Sequence, residues 1–188
     1  MIISISGKPG SGKSTVAEKL AAALGYERVY IGKIRRDAAR KKGMTLAEFN
    51  TWSESNEEGD KEFDEYIAKL GREKDNIVIE SRTAFHFIPH SLKIFLDVSN
   101  EEGARRIWRS LQDGDNKSRN EAKALDSYEA VLASVEARLK SDILRYQKYY
   151  KIDIFDPSHY DLFVDTTKLS QEEEFNRVVS FVQRKIQK

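Results

Sequence analysis

Gly7-Lys8-Pro9-Gly10-Ser11-Gly12-Lys13-Ser14-Thr15 fits the pattern G-x-x-x-x-G-K-[ST] without a gap. An apolar, strand-sized run, Ile2–Ser6, stands ahead of it. Behind it an alanine-rich stretch, Thr15–Leu24, reads as a helix and stops at Gly25. Strand, glycine loop and helix in that order form a cradle for phosphate. Glycines let the backbone turn so that successive N–H groups converge on anionic oxygens. The helix N-terminus adds partial positive charge at the same point. Lys13 can reach the β- and γ-phosphates of a nucleoside triphosphate, and the Ser14 hydroxyl suits Mg²⁺. An incidental glycine-rich turn would not bring strand, lysine, hydroxyl and helix together. The loop specifies nucleotide binding, not its use: motors, switches, regulatory ATPases and small-molecule kinases all carry it.

Working outward, further apolar runs mark strands at Arg28–Ile31, Asn76–Glu80, Leu92–Val98 and Tyr160–Asp165. The gaps between them hold helices, so the runs predict a parallel sheet with crossover helices. Thr45-Leu-Ala-Glu48, Ser99-Asn-Glu-Glu102 and Ser170-Gln-Glu-Glu173 each read as a capping box. The longest helix is expected over about Asp126 to Tyr150, and the last from Glu172 towards Ile186. Two segments do not read as core: the helical region Gly32–Gly71, and the polar stretch Leu111–Lys123 with its Asp113-Gly-Asp-Asn116. Both are expected to be mobile excursions from a single sheet domain.

The chain has 188 residues, 34% of them charged, with a net charge of +1 and no cysteine. That length suits one domain. The absence of cysteine excludes disulfides, iron–sulfur clusters and a thiol nucleophile. Three dispersed histidines, His86, His90 and His159, argue against a zinc site. No apolar run reaches the ~18–20 residues of a membrane span, and no basic-apolar leader opens the chain. The balanced charge argues against a long polyanion as partner. A cytoplasmic protein is expected. The charge fraction exceeds the ~25% usual in globular chains, which points to either a heat-adapted surface or an ionic substrate.

Six arginines, Arg36, Arg82, Arg106, Arg109, Arg138 and Arg145, carry the remaining signal. Arg82 follows the strand that ends at Glu80, at the sheet edge where open parallel sheets bind ligands. It reads as a bidentate phosphate ligand or as a surface arginine. Glu80, beside the loop, could hold Mg²⁺-bound water or cap the next helix. Arg138, Asp142 and Arg145 fall at i, i+4 and i+7, on one helix face. They read as a solvated salt-bridge stripe, or as two cations for phosphate and a carboxylate for a sugar hydroxyl. Arg28–Lys42 is basic and Glu54–Glu65 acidic. Most of these charges are expected on solvated helix faces, and the acidic stretch opposes nucleic-acid binding. Tyr146, Tyr149 and Tyr150 read as packing residues.

With these residues placed, the chain resembles the cytidylate kinases, especially their short archaeal-type branch. The likeness runs from Ile2 to about Lys168 through an ordered set of segments. They include Ile31-Gly-Lys-Ile-Arg-Arg36, Gly43-Met-Thr-Leu-Ala-Glu-Phe-Asn50, Ile79-Glu-Ser-Arg82 and Lys93-Ile-Phe-Leu-Asp97, then Ser141-Asp-Ile-Leu-Arg-Tyr146 and Tyr160-Asp-Leu-Phe-Val-Asp-Thr-Thr167. The resemblance implies an α/β P-loop kinase sandwich with a five-stranded parallel sheet. A single domain would comprise a core at about 1–31, 72–110 and 124–188, a monophosphate-binding insertion at about 32–71 and a lid at about 111–123. It implies ATP and CMP or dCMP as substrates, Mg²⁺ as cofactor, and a monomer. By the same likeness Gly7 to Thr15, with Arg106 and Arg109, serve ATP. Gly32, Arg36, Arg82, Thr83, Arg138, Asp142 and Arg145 serve the acceptor. Lys13, Arg82, Arg138 and Arg145 act on the transferred group, with Ser14 on the metal and Glu80 reaching it through water.

The chain departs from the family at three places. Ser81 replaces a glycine before the strand-end arginine, Thr83 an aspartate that contacts cytosine in bacterial members, and Gly103 an arginine after the fourth strand. The rival readings are a kinase for another acceptor (UMP, AMP or a non-nucleotide such as shikimate) and a kinase-like ATPase acting as an RNA-associated assembly factor.

Overall fold

The first strand, β1 (Ile2–Gly7), is buried at every residue, as a strand covered by helices on both faces must be. The computed structural model describes residues 1–113 and 125–187. Among these, β1 joins β2 (Glu27–Tyr30), β3 (Ile77–Glu80), β4 (Leu92–Asp97) and β5 (Leu162–Asp165) in one parallel sheet. The strand order is β2-β3-β1-β4-β5. Register pairs Ile5 with Glu80, Tyr30 with Glu80, and Gly7 with Leu96. The C-terminal ends of the three inner strands therefore open on one edge, the ligand edge of such sheets.

The period-two alternation of the strands divides the core between the two sheet faces. Ile3, Ile5 and Val78 pack with α1 (Lys13–Leu24) and the last helix, α8 (Gln171–Ile186), through Val16, Leu20, Val178 and Val182. Ile2, Ile77 and Ile79 face the other way. There they meet α2 (Ile31–Lys41), α3 (Leu46–Ser55) and α4 (Glu58–Glu73), with the short α5 (Ala84–Phe87). The region expected to stand off from the core thus helps to build it: Phe49, Phe63, Ile67 and Leu70 share one buried cluster with Val29, Ile77 and Ile79. Its charged sequence concealed narrow apolar faces. α6 (Asn100–Gln112) and α7 (Tyr128–Tyr150) pair through Ile107, Leu111, Val131, Val135 and Leu139.

Boundaries shift where local chemistry decides. Ile31 opens α2 instead of closing β2, and its side chain is buried there. Ser127 caps α7 by accepting from the Ala130 N–H. Thr45 and Ser170 form full capping boxes. Ser99 caps α6, but Glu102 turns away to Arg105 and Arg106, so the reciprocal half is missing. Of the segment expected as a lid, Leu111 and Gln112 close α6 and Asp113 is its C-cap; the rest lies outside the described residues. No helix among the described residues is long and apolar enough to cross a membrane.

Candidate functional site

One cleft of about 950 Å³ opens at the C-terminal edge of the sheet. Its floor is the phosphate loop. Gly12 takes a left-handed conformation, φ +84°, and caps α1, so the helix N-terminus points into the cleft. Gly10 lies against α6: a Cβ on it would meet the Gly103 carbonyl oxygen at 2.3 Å, and one on Gly103 would meet the Pro9 carbonyl oxygen at 2.6 Å. The glycine at 103 is thus where the helix approaches the loop too closely for a side chain.

Pro9 through Thr15 line the cleft, whereas Gly7 and Lys8 do not. Lys8 instead pairs with Asp97 at 2.9 Å on the neighbouring strand. It serves the loop through its carbonyl oxygen, which accepts from Lys13 Nζ at 2.5 Å. Burial, with Arg82 and Arg138 adding like charge, pulls the Lys13 ammonium well below the ordinary lysine range. An arriving phosphate would oppose both effects. Ser14 Oγ donates to Glu80 Oε1 at 2.7 Å, and Arg28 donates to Glu80 Oε2 at 3.1 Å. A hydroxyl beside a carboxylate is a hard-oxygen pair that fits Mg²⁺ carried on nucleotide phosphates. Among the described residues no cluster of three carboxylates or imidazoles could hold an ion alone.

Beside the phosphate loop Arg106 lines the cleft and is held on three sides. It donates to Glu102 at 3.2 Å, to Glu174 at 2.7 Å and to the Thr166 carbonyl at 2.7 Å. Glu174 is buried, its Oε2 lying where a Cβ on Gly12 would be, and burial raises its carboxyl above the ordinary range. The C-terminal helix therefore reaches the phosphate loop through one carboxylate. Arg109 also lines the cleft and is exposed.

At the other end Arg36 is buried and donates to the Tyr30 hydroxyl at 2.8 Å. Gly32 permits this, since a Cβ there would press on the Tyr30 ring at 2.7 Å. Arg82 gives Nε to Asp142 at 2.9 Å, and Arg82, Arg138 and Asp142 all line the cleft. Arg145, expected beside them, does not. It is 1% exposed, with its guanidinium on Asp60 and Asp142 and over the Tyr146 ring. From beneath the cleft it fixes these two carboxylates; the helix-face spacing left a solvated stripe and a phosphate ligand both open for it, because spacing carries no depth. Ser81 accepts from the Thr83 N–H at 3.1 Å and turns the chain after β3. Thr83 Oγ1 then donates to Asp64 at 2.5 Å.

Sequence reading missed Arg35, Asn50, Asp60 and Asp64, all of which line the cleft. Arg35 is clamped by Asn50 at 3.0 Å, Ser53 at 3.1 Å and Asp60 at 2.7 Å. A signal existed: Asp60 and Asp64 fall on the same helical stripe as Phe63 and Ile67, and a carboxylate on an apolar stripe is an inward one. Glu174, on a stripe with Val178 and Val182, follows the same rule.

A family model described as an AAA domain matches residues 3–126. The chain is 39% identical to a cytidylate kinase of Halobacterium salinarum over 170 residues, covering 89% of this chain and 82% of that one. It is 36% identical to one of Pyrobaculum calidifontis over 184 residues, covering 97% and 92%. Among solved structures, a shikimate kinase from Bacteroides thetaiotaomicron has a TM-score of 0.63 at 14% identity, covering 97% of this chain and 98% of that one. A gluconokinase from Sinorhizobium meliloti has a TM-score of 0.60 at 16% identity, covering 97% and 91%. At those identities the structural likeness speaks for the fold alone.

Proposed function

The chain belongs to the cytidylate kinase family, and from that premise we propose that it transfers the γ-phosphoryl group of ATP to a phosphate oxygen of CMP or dCMP, giving ADP and CDP or dCDP. One observation carries the assignment of ends. The phosphate loop and a set of acceptor-side arginines, Arg36, Arg82 and Arg138, line one cleft. Two phosphate-bearing ligands can therefore meet head to head.

The acceptor oxygen is already anionic near neutral pH, so no general base is required. Catalysis rests on alignment and on cations placed where charge moves. The loop N–H groups and Lys13 hold the β- and γ-phosphates. Mg²⁺, when bound, would neutralise charge between those phosphates, with Ser14 as ligand and Glu80 orienting it through water. With Nε fixed by Asp142, the terminal amino groups of Arg82 grip the acceptor phosphate alongside Arg36 and Arg138. Asp142 also lies within the cleft as an acceptor for a sugar hydroxyl. Arg145 acts by positioning Asp142 and Asp60, without touching the transferred group.

Lys13→Ala and Arg82→Ala are each expected to lower kcat/KM for CMP roughly 10²-fold or more with an unchanged circular dichroism spectrum. Near-normal activity in either would remove the role assigned to it. ADP formation should be measured for CMP, dCMP, UMP, AMP and shikimate. Turnover stimulated by shikimate and not by CMP would overturn the acceptor class.

A further inference from the structure

Glu174 is a buried carboxylate that the transfer described above does not use. It lies in the first turn of α8 and is 1% exposed. Its Oε1 accepts from Arg106 Nη1 at 2.7 Å. Its Oε2 is buried without a hydrogen-bond partner among the described residues and lies where a Cβ on Gly12 would be. A buried oxygen left unpaired calls for a reason. This one belongs to an acid set against the loop that must receive phosphate, where a bare negative charge would repel the ligand.

Arg106 answers that charge. A guanidinium has five N–H groups, and here the protein takes each of them. Nε donates to Glu102 at 3.2 Å, and Nη1 donates to Glu174 and, at 3.4 Å, to Thr166 Oγ1. Nη2 donates to the carbonyl oxygens of Thr166 at 2.7 Å and Leu169 at 3.1 Å. A phosphate could engage the N–H groups of Arg106 only by breaking one of these bonds. Together the bonds pin the turn between β5 and α8 to α6, and Leu169 and Ser170 of that turn line the cleft.

We propose that Arg106 and Glu174 are a positioning pair: Glu174 aims Arg106 and backs Gly12, while Arg106 cancels the charge of the carboxylate and holds the β5–α8 turn, neither of them gripping phosphate. This rests on the reading that the loop binds ATP. A phosphate ligand and a positioning pair respond oppositely to a second substitution. Removing only the arginine leaves an uncompensated charge against the loop, a penalty separate from what the pair itself contributes. Removing the charge of the carboxylate as well lifts that penalty.

ATP binding by calorimetry and steady-state kinetics of Arg106→Met, Glu174→Gln and the double variant test it. Arg106→Met should bind ATP roughly 10-fold or more weakly than the wild type, with KM for CMP unchanged. The double variant should recover to within about threefold of the wild type, both in Kd for ATP and in kcat. Glu174→Gln alone, which keeps the shape and removes the charge, should bind ATP at least as tightly as the wild type. If the double variant binds ATP no better than Arg106→Met, Arg106 grips the nucleotide directly and the proposal falls. If Arg106→Met does not fold, the other two variants decide, and an ATP affinity roughly 10-fold below wild type in either overturns the pair. A wild type that binds no ATP would instead remove the reading of the loop itself.

Discussion

Asp142 shows how a single residue joins stability to the site. It is buried, and burial pushes its carboxyl up. The guanidiniums of Arg82 and Arg145 outweigh that and hold it below the ordinary carboxylate range. A folded-state value below the unfolded one gives stability that is present above about pH 4 and is lost as pH falls through the folded value. Asp142→Asn takes the counter-charge from partly buried Arg82 and one of two carboxylates from buried Arg145, which keeps Asp60; the loss costs about 3 kcal/mol near pH 7. Urea midpoints should show that deficit shrinking as pH drops from about 5 towards 3. A deficit of constant size across that range would mean the charge of Asp142 does not carry it.

At the scale of elements, the site is made where helices approach the loop after β1. α6 crosses it at Gly103 and α8 reaches it through Glu174. Gly103→Ala would set a methyl 2.6 Å from the Pro9 carbonyl oxygen, which is backbone and cannot swing aside. We expect the loop to shift and KM for ATP to rise roughly 10-fold, with about 1–3 kcal/mol of lost stability and little change in KM for CMP. A wild-type KM for ATP in this variant would show that the contact is not needed to shape the loop. The same contact gives a physical reason for glycine where the family commonly has an arginine. At that crossing there is no room for any side chain.

Over the whole molecule, the 34% of charged residues on a chain of net charge +1 resolve into two populations. Pairs such as Arg40–Asp37 and Lys74–Glu27 are surface pairs and contribute little each. The linked set Arg35, Asp60, Arg145, Asp142 and Arg82 instead has its carboxylates and Arg145 buried and its two end arginines partly so, running from α2 through α4 and α7 to just past β3. It joins α2 and α4 to α7 and to the turn after β3, so both walls of the cleft are set by one ionic network. Two ligands filling such a cleft would exclude water as a competing acceptor. ATP hydrolysis without CMP should therefore run at least roughly 10²-fold slower than transfer to CMP. Hydrolysis as fast as transfer would favour an ATPase role.

The sequence alone determined the phosphate loop, the parallel sheet and the order of the elements, because these rest on short-range pattern: contiguous glycines, apolar runs and caps. It also singled out Arg82 and Asp142, which the tertiary structure brings to 2.9 Å of each other. What it could not supply was depth. Arg145 looked like a ligand and is buried under the cleft; Asp60 and Asp64 looked like solvated acids and line it. Helical spacing fixes the direction of a side chain about its own axis, but only packing decides whether that direction ends in water, in a cleft or against another charge. Asp64 owes its place there to Thr83 and Tyr150, which come to it from 19 and 86 residues away.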